Sequence, residues 1–251
     1  MAEPSRRALE LNELTWWSGW ASLTWLDRNT YVFTSSEFNE PFFNRAGFLE
    51  CRGIRRSLAE VERRFQSVRV DPTVLAYDSC ASATAALTDS GYTLVDKMAV
   101  LRLITPKFRT NGALRVESVK SGSREGWSRA YLLSFYGGTG LLSAVSRVVS
   151  RLLRKRGVTL LEGRIGGEVA GVLAIQRSSQ LAGVYCVGTI PRFRKTGVSG
   201  TLISEAYRIA SAGRRRLILQ TLESDGAEGF YVAGGFKRLY AKNVMARKLK
   251  S

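Results

Sequence analysis

The sequence predicts an α/β protein (α+β in type) built in two lobes, on three observations. Stretches that are apolar at strand spacing alternate along the chain with stretches that are apolar at helical spacing. One strand-like run, residues 181–187, passes directly into a basic, glycine-containing loop and then into a helical pattern. The charge balance also changes across residues 105–112, a segment that carries Pro106, Gly112 and several polar residues. That segment divides the chain into a first lobe, 1–111, and a second, 112–251.

The first lobe opens on Trp16, Trp17, Trp20 and Trp25, where Trp16/Trp20 and Leu14/Trp17 share a face at helical spacing. Clustered tryptophans of this kind are core aromatics more often than ligand sites. A short strand is expected over 30–34. Ser57-Leu58-Ala59-Glu60 has capping-box spacing and predicts a helix beginning there, with Leu58, Val61 and Phe65 on one face. Residues 74–77 read as a strand, 81–88 as a helix and 92–103 as one or two strands. In the second lobe, 113–119 alternates as a strand, and a helix from Ser123 carries Trp127, Tyr131, Leu132 and Phe135 until Gly137-Gly138 stops it. Residues 140–156 form a strongly amphipathic helix, with Leu142, Val145, Val149 and Leu152 opposite Arg147, Arg151 and Arg154. Gly166-Gly167 turns a hairpin between 158–164 and 169–177. Then come the strand 181–187, a helix over 200–212, a strand over 216–221, a short helix over 227–233 and a last strand or strands over 236–249.

Composition narrows the chemistry. There is no histidine, so triads, metal ligands and general bases of that type are excluded, and without a CxxC pair no metal site is expected. The three cysteines, Cys51, Cys80 and Cys186, are far apart and odd in number, which argues against a disulfide framework. The N-terminus has no apolar signal core, and no window is long and apolar enough to span a membrane, so a soluble cytoplasmic protein is expected. The net charge of +17 is unevenly placed: residues 1–110 hold 14 Lys/Arg and 13 Asp/Glu, residues 111–251 hold 24 and 8. A basic second lobe calls for a polyanionic partner: a phosphorylated cofactor, a nucleic acid or an acidic surface.

The loop after the strand says which anion. Pro191 ends the strand, because proline has no N–H to give a sheet ladder. Arg194 and Lys195 supply charge, Gly197 and Gly200 let the backbone approach a ligand, and a helix N-terminus points its free N–H groups at the same place. Arg194-x-x-Gly197-x-Ser199, preceded by Thr189-x-Pro191, is similar to the pyrophosphate loop of the GNAT superfamily of acetyl-CoA-dependent N-acetyltransferases. Ala227-x-x-x-Tyr231-x-x-x-Gly235-Phe236 resembles that family's late helix and strand. The resemblance covers about 112–250 and implies a mixed, mostly antiparallel sheet flanked by helices. Ser199 stands where the family prefers glycine or alanine, and Ser224 where many members have a cofactor-contacting asparagine. A weaker match, Ala86-Leu87-x-x-x-Gly91-Tyr92, resembles the end of such a domain, so the first lobe reads as a degenerate, cofactor-free copy.

The resemblance further implies an acetyl-CoA cosubstrate and an amine acceptor, small molecule or protein, joined in a ternary complex. Arg194, Lys195, Thr196, Gly197, Val198, Ser199 and Gly200 would hold the pyrophosphate. The exposed backbone of Val187 and Thr189, with Gly188 between them in the cofactor site, would pair with the pantetheine arm like an added strand, and an N–H near Val187 would polarise the acyl carbonyl. Tyr231 would give a proton to the departing thiolate. The general base is open among Glu223, Asp225, Glu162, Glu168 and a water relay. Cys186 is inert packing on one reading and an acyl-accepting nucleophile on another. Two other functions stand beside this one: a nucleic-acid-associated protein, for the basic second lobe, and a non-catalytic acyl-CoA-binding domain, for the missing base.

Overall fold

Side-chain periodicity places the helices and strands of the second half closely and those of the first half less so. The structure, a computed structural model, describes residues 3–51 and 53–248. In chain order it runs α1 (Arg6–Trp17), β1 (Ser22–Trp25), β2 (Thr30–Thr34), β3 (Arg45–Phe48), α2 (Ile54–Val68), β4 (Thr73–Tyr77), α3 (Ala81–Asp89) and β5 (Thr93–Leu103). It continues with β6 (Arg115–Ser118), α4 (Arg124–Phe135), α5 (Leu142–Arg154), β7 (Val158–Ile165), β8 (Glu168–Arg177) and β9 (Leu181–Thr189). Helix α6 (Val198–Ala212), β10 (Arg216–Leu222), α7 (Glu228–Ala233) and β11 (Phe236–Ala246) complete it. The expected last strand is a single one that stops at Ala246; its anticipated end at Leu249 lies outside the described residues.

Two readings need correction, and two strands are not anticipated from the sequence. Helix α2 starts at Ile54, because Gly53 adopts the left-handed conformation (φ 78°) and turns the chain into the helix one turn before the expected cap. Ser57 is therefore an interior residue whose hydroxyl donates to Asp27 at 3.0 Å. The four-residue strands β1 and β3 carry too few residues for an alternation to show. Cys51 and Cys80 are joined as a disulfide, their Cα atoms 5.7 Å apart. The chain brings the loop after β3 to the start of α3, a proximity that a sequence separation of 29 conceals.

Contacts divide the chain into two compact units. One is built chiefly from Ser5–Val100, Thr221–Glu228 and the residues from Arg238 on. Its strands lie in the order β1-β2-β3-β4-β11-β5, with β3 and β4 parallel across α2. Ala46, Val74 and Met245 face α2 and α3 in an apolar core with Val61, Phe65 and Leu87. Arg45, next to Ala46 on the pleat, points to the other face and pairs with Glu13 of α1 at 2.9 Å. Lys242 lies between Glu10 (3.1 Å) and Glu13 (2.6 Å), and the Tyr240 hydroxyl donates to Glu10 at 2.7 Å. Glu10, Glu13, Arg45 and Lys242 are all buried, two anions against two cations.

The other unit is built chiefly from Leu101–Gln220 and Gly229–Lys237. Its strand order is β10-β9-β8-β7-β6, antiparallel from β9 to β6 and parallel between β9 and β10 across α6. Two glycines show how the helices sit. A Cβ on Gly171 would meet Val198 of α6 at 2.6 Å, whereas one on Gly188 would meet Ser134 of α4 at 2.8 Å. Val172 pairs Gly188 and Gly171 pairs Thr189, so these neighbours on the pleat face opposite ways. Helix α4 therefore covers one face and α6 the other, and neither glycine tolerates a side chain between strand and helix.

Candidate functional site

Strand β9 is the axis of the site. Its register with β10 pairs Leu181–Val184 with Arg216–Leu219, yet β9 continues to Thr189. On its other edge the ladder with β8 shifts between Val172↔Gly188 and Ala174↔Tyr185, so Cys186 and Val187 together oppose one residue. Cys186 takes a positive φ of 53° to make that bulge. The end of β9, with Val187, Gly188 and Thr189, thus diverges from its parallel neighbour and is re-aimed by the bulge. Burial pushes the Cys186 thiol far above its usual range, which disfavours the thiolate a nucleophile needs.

The loop then curls tightly. Residues Pro191–Phe193 form a 3₁₀ turn, the Ile190 N–H donates to Ala170 at 3.0 Å, and the Thr196 hydroxyl closes on the Phe193 carbonyl at 2.7 Å. Lys195 (φ 64°) and Gly197 (φ 88°) are left-handed, the backbone alternation that lines successive N–H groups into an anion-binding concavity. Helix α6 starts at Val198, two residues before the sequence places it, because Gly197 is its N-cap. The N–H groups of Val198, Ser199 and Gly200 consequently lie in a first turn with no intrahelical acceptor, at the positive end of the helix. Ser199 and Thr189 share a hydroxyl–hydroxyl hydrogen bond of 2.7 Å that ties strand end to helix start. Arg194 donates to the carbonyls of Thr189 (3.4 Å) and Ser134 (3.1 Å), bracing the loop against α4.

Tyr231 lies in the same unit, buried on α7, its ring edge-on to Phe230 at 5.3 Å and to Phe236 at 5.8 Å. Gly235, at φ 99°, ends that helix and explains the Gly-Phe register. Of the proposed bases, Glu162 is buried and tied to Arg164 at 2.7 Å, and Glu168 is paired with Arg192. Glu223 pairs with Arg238 at 3.5 Å, and burial raises the Asp225 carboxyl above its usual range. Ser224 donates its hydroxyl to Asp96.

One participant escaped the sequence reading. Residues 105–111, which look like a linker, are bound down across α6 and α7. The Lys107 N–H donates to Gly234 at 2.9 Å, and Asn111 donates its N–H to Thr201 Oγ1 (2.7 Å) and its amide to the Thr196 carbonyl (3.0 Å). A Cβ on Gly200 would fall on the Arg109 carbonyl, and one on Gly234 on the Phe108 ring. Gly200 is thus small for the sake of this strap. Gly200→Ala is expected to destabilise the protein by about 1–3 kcal/mol, the usual cost of overpacking; a thermal melt reads it, and an unchanged midpoint would refute the contact.

Among the described residues no helix is long and apolar enough to cross a membrane, and no group of three or more His, Cys, Asp or Glu is placed to hold a metal. Neither a protein-family model nor a curated protein sequence matches the chain. Its fold is that of the GCN5-related N-acetyltransferases, a mixed α/β architecture. A GCN5-related N-acetyltransferase from Kribbella flavida matches with a TM-score of 0.72 at 13% identity, over 100% of this chain and 98% of that one. One from Sphaerobacter thermophilus matches at 0.70 and 13% identity, over 91% of this chain and 83% of that one. A tandem GNAT protein from the clavulanic acid biosynthesis pathway matches at 0.61 and 11% identity, over 98% and 88%.

Proposed function

We propose that the protein is an acetyl-CoA-dependent N-acetyltransferase that passes the acetyl group directly to a primary amine in a ternary complex. The observation that carries this reading is the joined geometry of β9 and α6. A strand that outruns its parallel partner leads into left-handed Lys195 and Gly197, and so into a helix N-terminus. Strand edge and helix amides are what an acyl-pantetheine pyrophosphate requires, one for the amide-bearing arm and one for the charge. In this reading Val187, Gly188 and Thr189 hold the arm, the backbone from Arg194 to Gly200 holds the pyrophosphate, and proximity of thioester and amine supplies much of the rate. Residues 112–251 carry the chemistry, and 1–111 form a second GNAT-like lobe with no cofactor of its own. The parallel β3–α2–β4 unit, opened by left-handed Gly53, supports that likeness by repeating β9–α6–β10 opened by Gly197.

Thiol release from acetyl-CoA across a panel of amines tests the activity. Gly197→Asp is expected to weaken acetyl-CoA binding by about tenfold or more, since it adds backbone strain and a carboxylate where phosphate would sit. Equal affinity in calorimetry would remove the loop from the site.

Charge favours a second reading alongside the first. Residues 101–220 contain 21 Lys/Arg and 5 Asp/Glu. Those five carboxylates, Glu117, Glu125, Glu162, Glu168 and Glu205, already pair with arginines of the same unit. Such an excess suits a nucleic acid or other acidic partner, and RNA or DNA binding with a steep salt slope would establish it.

A further inference from the structure

We propose that the strap formed by residues 105–111 belongs to the cofactor site, and that Arg109, with Lys107 beside it, binds the 3′-phosphate of coenzyme A. The inference rests on the acyl-CoA reading and extends it to residues outside the loop and helix motifs. The strap's backbone tracks the first turn of α6: Arg109 lies against Gly200, and a Cβ on Gly197 would come within 3.0 Å of the Thr110 carbonyl carbon and 3.2 Å of the Asn111 nitrogen. Asn111 fixes it there through Thr196 and Thr201, and the Lys107 N–H fixes its other end to Gly234 at the close of α7. Phe108 turns inward between them, its ring 5.3 Å from Phe230 and 6.1 Å from Phe236, while Lys107 and Arg109 stand exposed on either side.

The charge at this place has no internal explanation. Residues 104–114 and 189–201 include Lys107, Arg109, Arg192, Arg194 and Lys195 and not one Asp or Glu. Arg192 is taken by Glu168, and Arg194 by two carbonyls. Among the described residues neither Lys107 nor Arg109 makes an ion pair, so like charges are gathered at a helix N-terminus that is itself positive. That arrangement repels itself until an anion with more charge than one pyrophosphate arrives. The α6 amides can hold the pyrophosphate, and a guanidinium carried on the strap that lies against that helix turn is suited to the separate phosphate monoester on the ribose.

Calorimetric titration of the full-length protein with coenzyme A and with 3′-dephospho-coenzyme A decides this, using the parent, Arg109→Ala and Lys107→Ala. Both side chains are exposed, so the melting temperature serves as a check that the variants fold. The parent is expected to bind coenzyme A about tenfold more tightly than the dephospho form, and Arg109→Ala to lose about tenfold for coenzyme A alone. Lys107→Ala is expected to show a smaller loss of the same kind. Equal losses for both ligands in Arg109→Ala would move its contact to the pyrophosphate and overturn the assignment. Parent-like affinity in both variants would remove the strap from the site. A parent that binds neither ligand would instead overturn the acyl-CoA reading on which the inference stands.

Discussion

Lys242→Met is expected to destabilise the protein by about 3–5 kcal/mol, a large share of the 5–15 kcal/mol of a typical domain. The ammonium sits within 3.1 Å of Glu10 and 2.6 Å of Glu13, and all three side chains are shut away from water. Removing it leaves two buried carboxylates facing each other and takes away a cation that both contact. The pH dependence follows from Glu10, whose carboxyl is raised above its usual range chiefly by burial and also by Glu13, against the pull of Lys242 and Tyr240. A raised carboxyl binds its proton more tightly folded than unfolded, so stability falls as pH rises through the window between the unfolded and folded values. The deficit of Lys242→Met should therefore shrink on acidification, as Glu10 takes up a proton. Glu10→Gln in the same background restores a balanced Glu13–Arg45 pair and is expected to recover most of the loss. Denaturation midpoints of the parent and the two variants at two pH values check this, and a loss that Glu10→Gln leaves untouched would contradict it.

Tyr231→Phe is expected to lower acetyl transfer by about a hundredfold, the lower part of the range for a positioned proton donor, with the affinity for acetyl-CoA unchanged. The substitution keeps the ring that packs on Phe230 and Phe236, so the fold should survive it. A purely structural hydroxyl would show itself in the melting temperature rather than in turnover. The diagnostic readout is the pH–rate profile: loss of a general acid removes the alkaline limb, and retention of that limb would assign the proton to another group.

What the sequence disclosed and what it hid divide along physical lines. Helix α5 is plain from its apolar stripe, and so is the hairpin of β7 and β8, because Gly166-Gly167 leaves little choice of turn. Loop 194–200 is legible because charge, glycine and helix onset are adjacent in the chain. Strands β1 and β3 are too short to display a period, and the onset of α2 depends on a left-handed Gly53 rather than on its polar caps. The Cys51–Cys80 bond and the strap over Gly200 and Gly234 depend on tertiary approach. Composition at residues 105–112 shows only that the chain is irregular there, and gives no sign of what it lies upon.

The hydroxyl pair between Thr189 and Ser199 has a consequence for how a ligand would arrive. It closes the ring from strand end to helix start with a 2.7 Å bond, and the Arg194 guanidinium and Thr196 hydroxyl fasten the ring from within. The conformational freedom of that loop is surrendered when the chain folds, not when a cofactor lands. On the acyl-CoA reading, an incoming phosphate would meet a loop already shaped by the fold, and association should proceed without a slow ordering step. Ser199, whose hydroxyl closes that ring, contributes to the loop's rigidity.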